Sequence, residues 1–335
     1  MGGPIHATET EISTREMRRV LAYEPTDLTI SVEAGMPILQ LEQLLADKGQ
    51  MLPLDPPFSS VGTVAGTLAA NLSGPRRRLY GTARDLIIGM KYATLQGKVV
   101  QSGGMVVKNV AGLDTAKLMV GSWGTLAAIA VVNFKVLPKP ACSRTFLMTF
   151  DSASALLAKR NAILNSVLQP CAVDLLNPAA ASRVGQSGFL LAVQAAGSAR
   201  VMGRYSNEFA GANTLEDADE NTFWEHVREF APNFMAENPL GVVIKAPRTL
   251  TAVADLLAAE EPVLARGGNG VCYVCFKDGS AAIPTGGVVD YSSEENRSTR
   301  TLWPSPGSDF KIMQQLKNLF DPDLLLNQGR LYGRI

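Results

Sequence analysis

From residue 28 the chain reads LTISVEAG, with apolar side chains at alternate positions and a glycine at the end, a pattern that predicts a strand over 28–35. The period then changes. Ile38, Leu41, Leu44 and Leu45 fall on one face of a helix, and Lys48-Gly49 closes it with a cation and a residue that tolerates the left-handed conformation. The prolines of MLPLDPPFSSVG forbid a central strand, and the small residues after them predict a loop of close backbone approach running into a short helix over Thr63 to Ala70. Strands are predicted around Ile87 to Leu95 and Lys98 to Gln101, turning at Gln96-Gly97, and again over LAAIAVVNFKVLP, which Pro138 stops.

The segment KPACS (139–143) reads as a crossing between domains. After it, RTFLMTF, CAVDLL, GFLLAVQAAG, GVVIKA and GVCYVCF have strand character, while 152–167, 198–209, 219–231 and 250–259 have helical character. Strands and helices alternating in this way predict an α+β layer of ferredoxin-like type. Residues 277–307 are polar and rich in Pro, Gly and Ser, which predicts an exposed, mobile loop, and a last helix is expected over Asp309 to Phe320.

Composition narrows the function classes. The 335 residues are 46% hydrophobic with a formal net charge of zero, and the only dense basic run is Arg76-Arg77-Arg78, so no electrostatic footprint for nucleic acid is present. The start MGGPIHATETEIST lacks the basic and apolar blocks of a secretory signal, and no apolar stretch reaches the roughly 18 residues needed to span a bilayer. These features predict a cytoplasmic chain without direct membrane insertion. Cys142, Cys171, Cys272 and Cys275 are sparse, as suits a reducing compartment. Cys272 and Cys275 form a CxxC inside an apolar strand, with the two thiols on opposite faces and no second ligand pair at zinc spacing, so no metal site is expected.

Three segments carry candidate chemistry. Val61 to Pro75 (VGTVAGTLAANLSGP) surrounds a helix start with glycines and small residues, which would leave backbone N–H groups open to a pyrophosphate, although tight helix packing selects the same residues. Tyr80 to Gly89 (YGTARDLIIG) and the run from Lys108-Asn109-Val110-Ala111-Gly112-Leu113-Asp114 to LMVGSWGTL contribute Asp85 and Asp114, each of which alone reads equally well as a capping or solvated carboxylate. In this order and at this spacing the three resemble the FAD-binding half of the vanillyl-alcohol-oxidase superfamily, also called PCMH-type. GQMLPLDPP, LSGPRR, VKNVAGLD, KLMVGSWGTL, KVLPKP and the C-terminal DPDLLLNQGRLY are similar to the E subunits of bacterial glycolate oxidases, with Gln328 where that ending usually has proline.

The resemblance implies an FAD-binding PCMH-type domain over 1–140, a ferredoxin-like α+β cap or substrate domain over 141–306, and a tail over 307–335 that returns to the FAD domain. It implies non-covalent FAD, with Pro57 beside the loop, Thr63, Val64, Ala65, Gly66 and Thr67 offering backbone contacts to the pyrophosphate, and Asn71, Ser73 and Gly74 near the isoalloxazine. Gly81 and Asp85 would shape the cofactor wall, Gly124 and Ile129 would lie near the nucleotide half, and Asn327 would close the site. The first Gly-rich loop of such proteins lies upstream of the equivalent of Ile12, so the first subdomain is expected to be N-terminally truncated here, with Met1-Gly2-Gly3-Pro4 as its remnant.

Implied partners are a larger FAD-bearing catalytic subunit and an iron–sulfur subunit of a glycolate oxidase complex, through which the chain could associate with a membrane, and a small 2-hydroxy acid as substrate. Catalytic residues are not legible. His6 lies near the start, and His226 sits on the amphipathic stretch FWEHVREF, where a surface or packing role is expected. Arg76 to Arg78 suit a carboxylate, a solvated face or a subunit contact equally. Two other readings stay open: a self-sufficient FAD-dependent dehydrogenase, and a cofactor-free scaffold.

Overall fold

The computed structural model describes residues 2–3, 10–106 and 113–335. The chain divides into two compact units, the first drawn from residues up to Ser73, Gly81–Lys139 and Ser305–Ile335, the second from Gly74–Tyr80 and Pro140–Pro304. The short basic segment at 74–80 therefore belongs with the second unit, although the sequence around it belongs with the first.

In the first unit the alternating runs form an antiparallel sheet of five strands, β1 (Val20–Glu24), β2 (Thr29–Glu33), β3 (Ile87–Ala93), β4 (Val99–Gly103) and β5 (Ala128–Lys135), in the order β1-β2-β5-β3-β4. Register explains the core. Ile30 stands opposite Phe134 and Val32 opposite Val132, and Val132 also faces Met90, so these side chains share one face and are fully buried. Helix α1 (Ile38–Ala46) lays Ile38, Leu41 and Leu45 on that face, and α2 (Val64–Ala69) adds Val64 and Leu68. Each large aliphatic side chain so removed from water contributes roughly 1.5–3 kcal/mol. The hairpin between β3 and β4 turns at Gln96-Gly97 as expected, with Gly97 at φ 72°. Strand β1 is an edge element that the periodicity did not announce. It is held by Arg19, whose backbone N–H and guanidinium both donate to the buried carboxylate of Glu33.

The second unit is an eight-stranded antiparallel sheet. Its strands are β6 (Cys142–Phe150), β7 (Ala172–Leu176), β8 (Phe189–Gly197), β9 (Asn213–Leu215), β10 (Val242–Pro247), β11 (Val263–Arg266), β12 (Val271–Phe276) and β13 (Val288–Ser292), in the order β9-β6-β8-β7-β11-β12-β10-β13. Helices α3 (Ala153–Leu164), α4 (Ala199–Glu208) and α7 (Val253–Leu257) bury Leu156, Met202 and Val253 against one face, which carries Phe146, Val173, Val193 and Cys272. The opposite face receives α5 (Asp217–Arg228) and α6 (Phe230–Glu237), with Trp224 of α5 donating to Thr145 Oγ1 at 2.6 Å.

Several expectations change here. The helix predicted over 219–231 is two helices that break at Glu229, and 277–307 is not wholly loop. It contains β13, which pairs with β10 and buries Val289, followed by a helical segment at Glu294–Thr299. Strand β11 has four buried residues in the middle of the sheet and is too short to show a period. Cys272 and Cys275 lie on opposite faces of β12, both buried, and burial pushes their thiols up to about 11 and about 12 respectively. After the second unit the chain re-enters the first with α8 (Phe310–Phe320), whose Phe320 ring packs by Tyr92 of β3.

Candidate functional site

The glycine-rich segment folds as predicted, but its amides are spent differently. Thr63 is the N-cap of α2, and its hydroxyl accepts from Gly66 N at 3.2 Å. Val64 N donates to Met36 O, Ala65 N to Ala34 O and Thr67 N to Thr63 O, so the first turn of α2 is bound to the end of β2 and to itself. Protein carbonyls and the Thr63 hydroxyl therefore take the amides of Val64, Ala65, Gly66 and Thr67, four of those expected to face a pyrophosphate. What the segment offers instead is a wall of small side chains.

That wall borders a cleft of about 710 Å³, entirely within the first unit. Ala65, Gly66, Ala69 and Ala70 of α2 and its C-cap line it, as do Trp123 and Gly124, then Ala127, Ala128 and Ile129 at the start of β5. Thr10, Glu11, Ile12 and Thr14 contribute from the N-terminal side, and Leu325, Leu326 and Asn327 from the C-terminal tail. The volume falls in the usual range for small-molecule sites, roughly 300–1,000 Å³.

Hydrogen bonds join these distant segments. Gly121 N donates to Leu68 O and Trp123 N to Ala69 O, which docks the GSWG turn on the end of α2. Trp123 and Gly124 are both left-handed, at φ 54° and 70°, and this pair of conformations turns the Trp123 carbonyl to accept from Asn327 Nδ2 at 2.8 Å. Glycine is favoured at 124 by the left-handed backbone, and a Cβ there would stand 2.6 Å from that same Nδ2, so the Asn327 amide would have to move. Gly3 N donates to Arg330 O and Arg330 Nη1 to Gly3 O, and a Cβ on Gly2 would stand 3.3 Å from the Trp123 ring. The tail motif is thus fixed by the N-terminal glycines and the GSWG turn together.

A buried cation lies behind this wall. Lys317 of α8 is 2% exposed, and its Nζ donates to Thr125 O and Leu326 O, each at 2.8 Å, and to the Asp321 carboxylate. Asp321 also accepts from Leu325 N and Leu326 N. Burial raises its carboxyl, but Lys317 and the two amides outweigh burial and hold it below the ordinary value.

Among the predicted residues, Ala65, Gly66, Gly124, Ile129 and Asn327 meet at the cleft. Val64 and Thr67 are buried beneath it, Thr63 caps the helix, and Pro57 lies half-buried in the preceding loop. Asn71 is exposed and left-handed at φ 50°, beside Gly121, while Ser73 and Gly74 fall at the division between the two units. Asp85 does not line this cleft. Its carboxylate accepts from Thr82 N and Thr82 Oγ1 in a capping arrangement, which holds it below the ordinary value, and Gly81 at φ 82° leaves room for it.

The arginine run is docked on the second unit. Arg76 Nε donates to Gln194 Oε1 and Arg78 Nη1 to Pro170 O, and the Gln194 amide in turn donates to the buried Glu220. His226 is exposed on α5, and His6 and the Lys108 to Gly112 motif lie outside the described residues. Among the described residues no group of His, Cys, Asp and Glu could hold a metal ion, and no helix is long and apolar enough to cross a membrane. Sequence reasoning missed Ile12, Trp123, Ala69, Ala70 and Leu325 as cleft residues. Trp123, Ala69, Ala70 and Leu325 lie inside segments singled out in the sequence, whereas Ile12 carried no local signal.

Residues 2–103 match the family model described as "FAD binding domain". Over its full length the chain is 28% identical to glycolate oxidase subunit GlcE of Escherichia coli, covering 90% of that protein. It is 29% identical to glycolate oxidase subunit GlcD of Bacillus subtilis, but over 49% of this chain and only 35% of that one. It is 22% identical over its whole length to a D-lactate dehydrogenase of Archaeoglobus fulgidus, covering 84% of it. Among solved structures, an alkyldihydroxyacetonephosphate synthase aligns with a TM-score of 0.67 over 93% of this chain and 65% of that one, at 17% identity, a likeness of fold.

Proposed function

We propose that this chain, an FAD-dependent oxidoreductase by its FAD-binding domain and its relatives, serves as the FAD-holding subunit of a complex that oxidises glycolate or a similar 2-hydroxy acid. The observation that carries the reading is the likeness to GlcE, which runs through both units and covers nearly all of that subunit. The cleft suits the cofactor: Ala65, Gly66, Ala69 and Ala70 make one wall of small residues, Ile12, Trp123, Ile129, Leu325 and Leu326 supply apolar surface, Thr10, Glu11, Thr14 and Asn327 supply polar side chains, and among the described lining residues there is no histidine, cysteine or tyrosine for a covalent link. When bound, FAD supplies electron transfer, and the residues named here hold and shield it. Ala65, Gly66, Ala69 and Ala70 let the ligand lie close to α2, while Asn327 and Trp123 close the cleft from the other side. A larger flavoprotein and an iron–sulfur protein would be the partners, and assembly or electron relay the task.

The test is to co-express a tagged copy with a GlcD-like flavoprotein and a ferredoxin-like subunit, and to record the visible spectrum of what copurifies. Flavin and both partners in stoichiometric amount are expected; a flavin-free chain that captures neither would sink the proposal. The likeness to the archaeal D-lactate dehydrogenase favours a second reading, a chain that turns over alone. Bleaching of its flavin by anaerobic D-lactate or glycolate, with no partner present, would select that reading.

A further inference from the structure

The geometry points to Lys317 and Asp321 as positioning residues for the cofactor cleft, a clasp that sets the spacing of its two far walls. The inference rests on the reading of the cleft as the FAD site. One wall is the Trp123-Gly124 turn and the other is Leu325-Leu326-Asn327 of the tail. The Asn327 side chain crosses between them on the cleft side. Behind the walls a single ammonium group does the same, donating to Thr125 O on one and Leu326 O on the other. Asp321 completes the arrangement. Its Oδ1 accepts from Leu325 N and its Oδ2 from Leu326 N and from Lys317, so one carboxylate fixes the backbone of two cleft residues while neutralising the cation that joins Leu326 to Thr125.

Neither side chain lines the cleft itself. An apolar pair of similar size would avoid the desolvation of two charges, but it would leave the Thr125 and Leu326 carbonyls and the Leu325 and Leu326 amides without these partners, a cost to stability as well as to the cleft. What an apolar pair cannot do is hold carbonyls of two separate segments at one fixed distance. The charged pair therefore belongs to the cleft's geometry, and its removal is felt as a loss of FAD binding larger than that of an equally destabilising change elsewhere in the core.

The experiment titrates FAD into flavin-free full-length chain and follows quenching of flavin fluorescence, with the melting temperature recorded for every variant. Lys317→Met leaves Asp321 buried without its cation and lowers both stability and affinity, so the decisive variant is the double Lys317→Met/Asp321→Leu. It is expected to melt below the parent but to stay folded at the assay temperature, to bind FAD at least about tenfold more weakly, and to lose the fine structure of its flavin absorption band that marks a rigid, dry site. Val132→Ala, a cavity in the sheet core away from the cleft, should lower the melting temperature with less than about a twofold change in affinity. A double variant that binds FAD like the parent overturns the inference. Ala69→Phe, which fills the cleft, tests the underlying reading separately: it should abolish binding, and if it does not, the cleft is not the FAD site and both fall together.

Discussion

The join between the GSWG turn and the tail can be tested with two glycines that share a conformation and differ in surroundings. Gly124 and Gly97 have φ of 70° and 72°. A Cβ at 124 would stand 2.6 Å from Asn327 Nδ2, whereas one at 97, in the hairpin turn, meets nothing within 4 Å. Left-handed backbone costs an L-residue about 1–2 kcal/mol, offset by about 0.4–1 kcal/mol because alanine restricts the unfolded chain. Gly97→Ala should therefore cost on the order of 1 kcal/mol and nothing in FAD affinity. Gly124→Ala bears the same strain and also displaces the Asn327 amide from the Trp123 carbonyl, a bond contributing about 0.5–1.5 kcal/mol. Its total is about 1.5–2.5 kcal/mol, and the share that FAD must restore to rebuild the wall, about that of the Asn327 bond, should weaken FAD by up to roughly tenfold, since each 1.4 kcal/mol is tenfold in a binding constant. Urea unfolding of the flavin-free chain and fluorescence titration with FAD supply the two readouts. Equal stability losses for the two variants, or an unchanged affinity for Gly124→Ala, would refute the reasoning.

Three further outcomes are expected. Arg266→Met in the second unit strips the buried Asp174 of its ion-pair partner and removes a guanidinium stacked over Tyr273, so it should cost about 3–5 kcal/mol, while Arg266→Met/Asp174→Leu should recover most of the loss; equal melting curves for single and double variants would argue against this. The Asp321 carboxyl is held below its ordinary value in the folded chain, whereas unfolded aspartate titrates near about 3.9. The unfolded state thus takes up the proton first as pH falls, so this stabilisation is full above about pH 4 and lost as pH drops through the folded value, and Asp321→Asn should flatten the acid limb of the stability curve measured by urea midpoint. Cys171, Cys272 and Cys275 are buried with thiols raised by burial, so iodoacetamide should label only Cys142 in the native chain, and rapid native labelling at Cys272 or Cys275 would contradict the packing of β12.

What the sequence made legible follows from which signals are local. The strand at Thr29–Glu33, helix α1 with its Gly49 end, the Gln96-Gly97 hairpin and the CxxC strand each declare themselves through period or turn chemistry within a dozen residues. Strand β11 could not, because four residues flanked by Pro262 and Gly267 show no period, and its central place comes from pairing on one side with β12 just after it and on the other with β7, far back in the chain. Strand β13 was hidden by the polar residues around it, although Val289 is buried against β10. The break at Glu229 was masked because apolar residues on both sides continue at helical spacing.

The candidate site was legible in the same uneven way. Gly66, Gly124 and Asn327 stand out because close approach, left-handed backbone and a tail asparagine leave marks in sequence. Ala69, Ala70 and Leu325 sit in marked segments but leave no mark of their own, since an alanine beside a cleft is identical in sequence to an alanine against a neighbouring helix. The larger revision concerns the amides of α2. A glycine-rich helix start suggests free donors, but whether they are free depends on where residues 34 and 36 lie, and here the carbonyls of Ala34 and Met36 take two of them. The small residues are then explained by the approach of a ligand to side-chain surface and of the GSWG turn to the Leu68 and Ala69 carbonyls. On that account Ala70→Val, which narrows the cleft without touching a backbone bond, should weaken FAD binding, whereas Val64→Ala, beneath the cleft in the core, should cost stability and leave affinity near that of the parent.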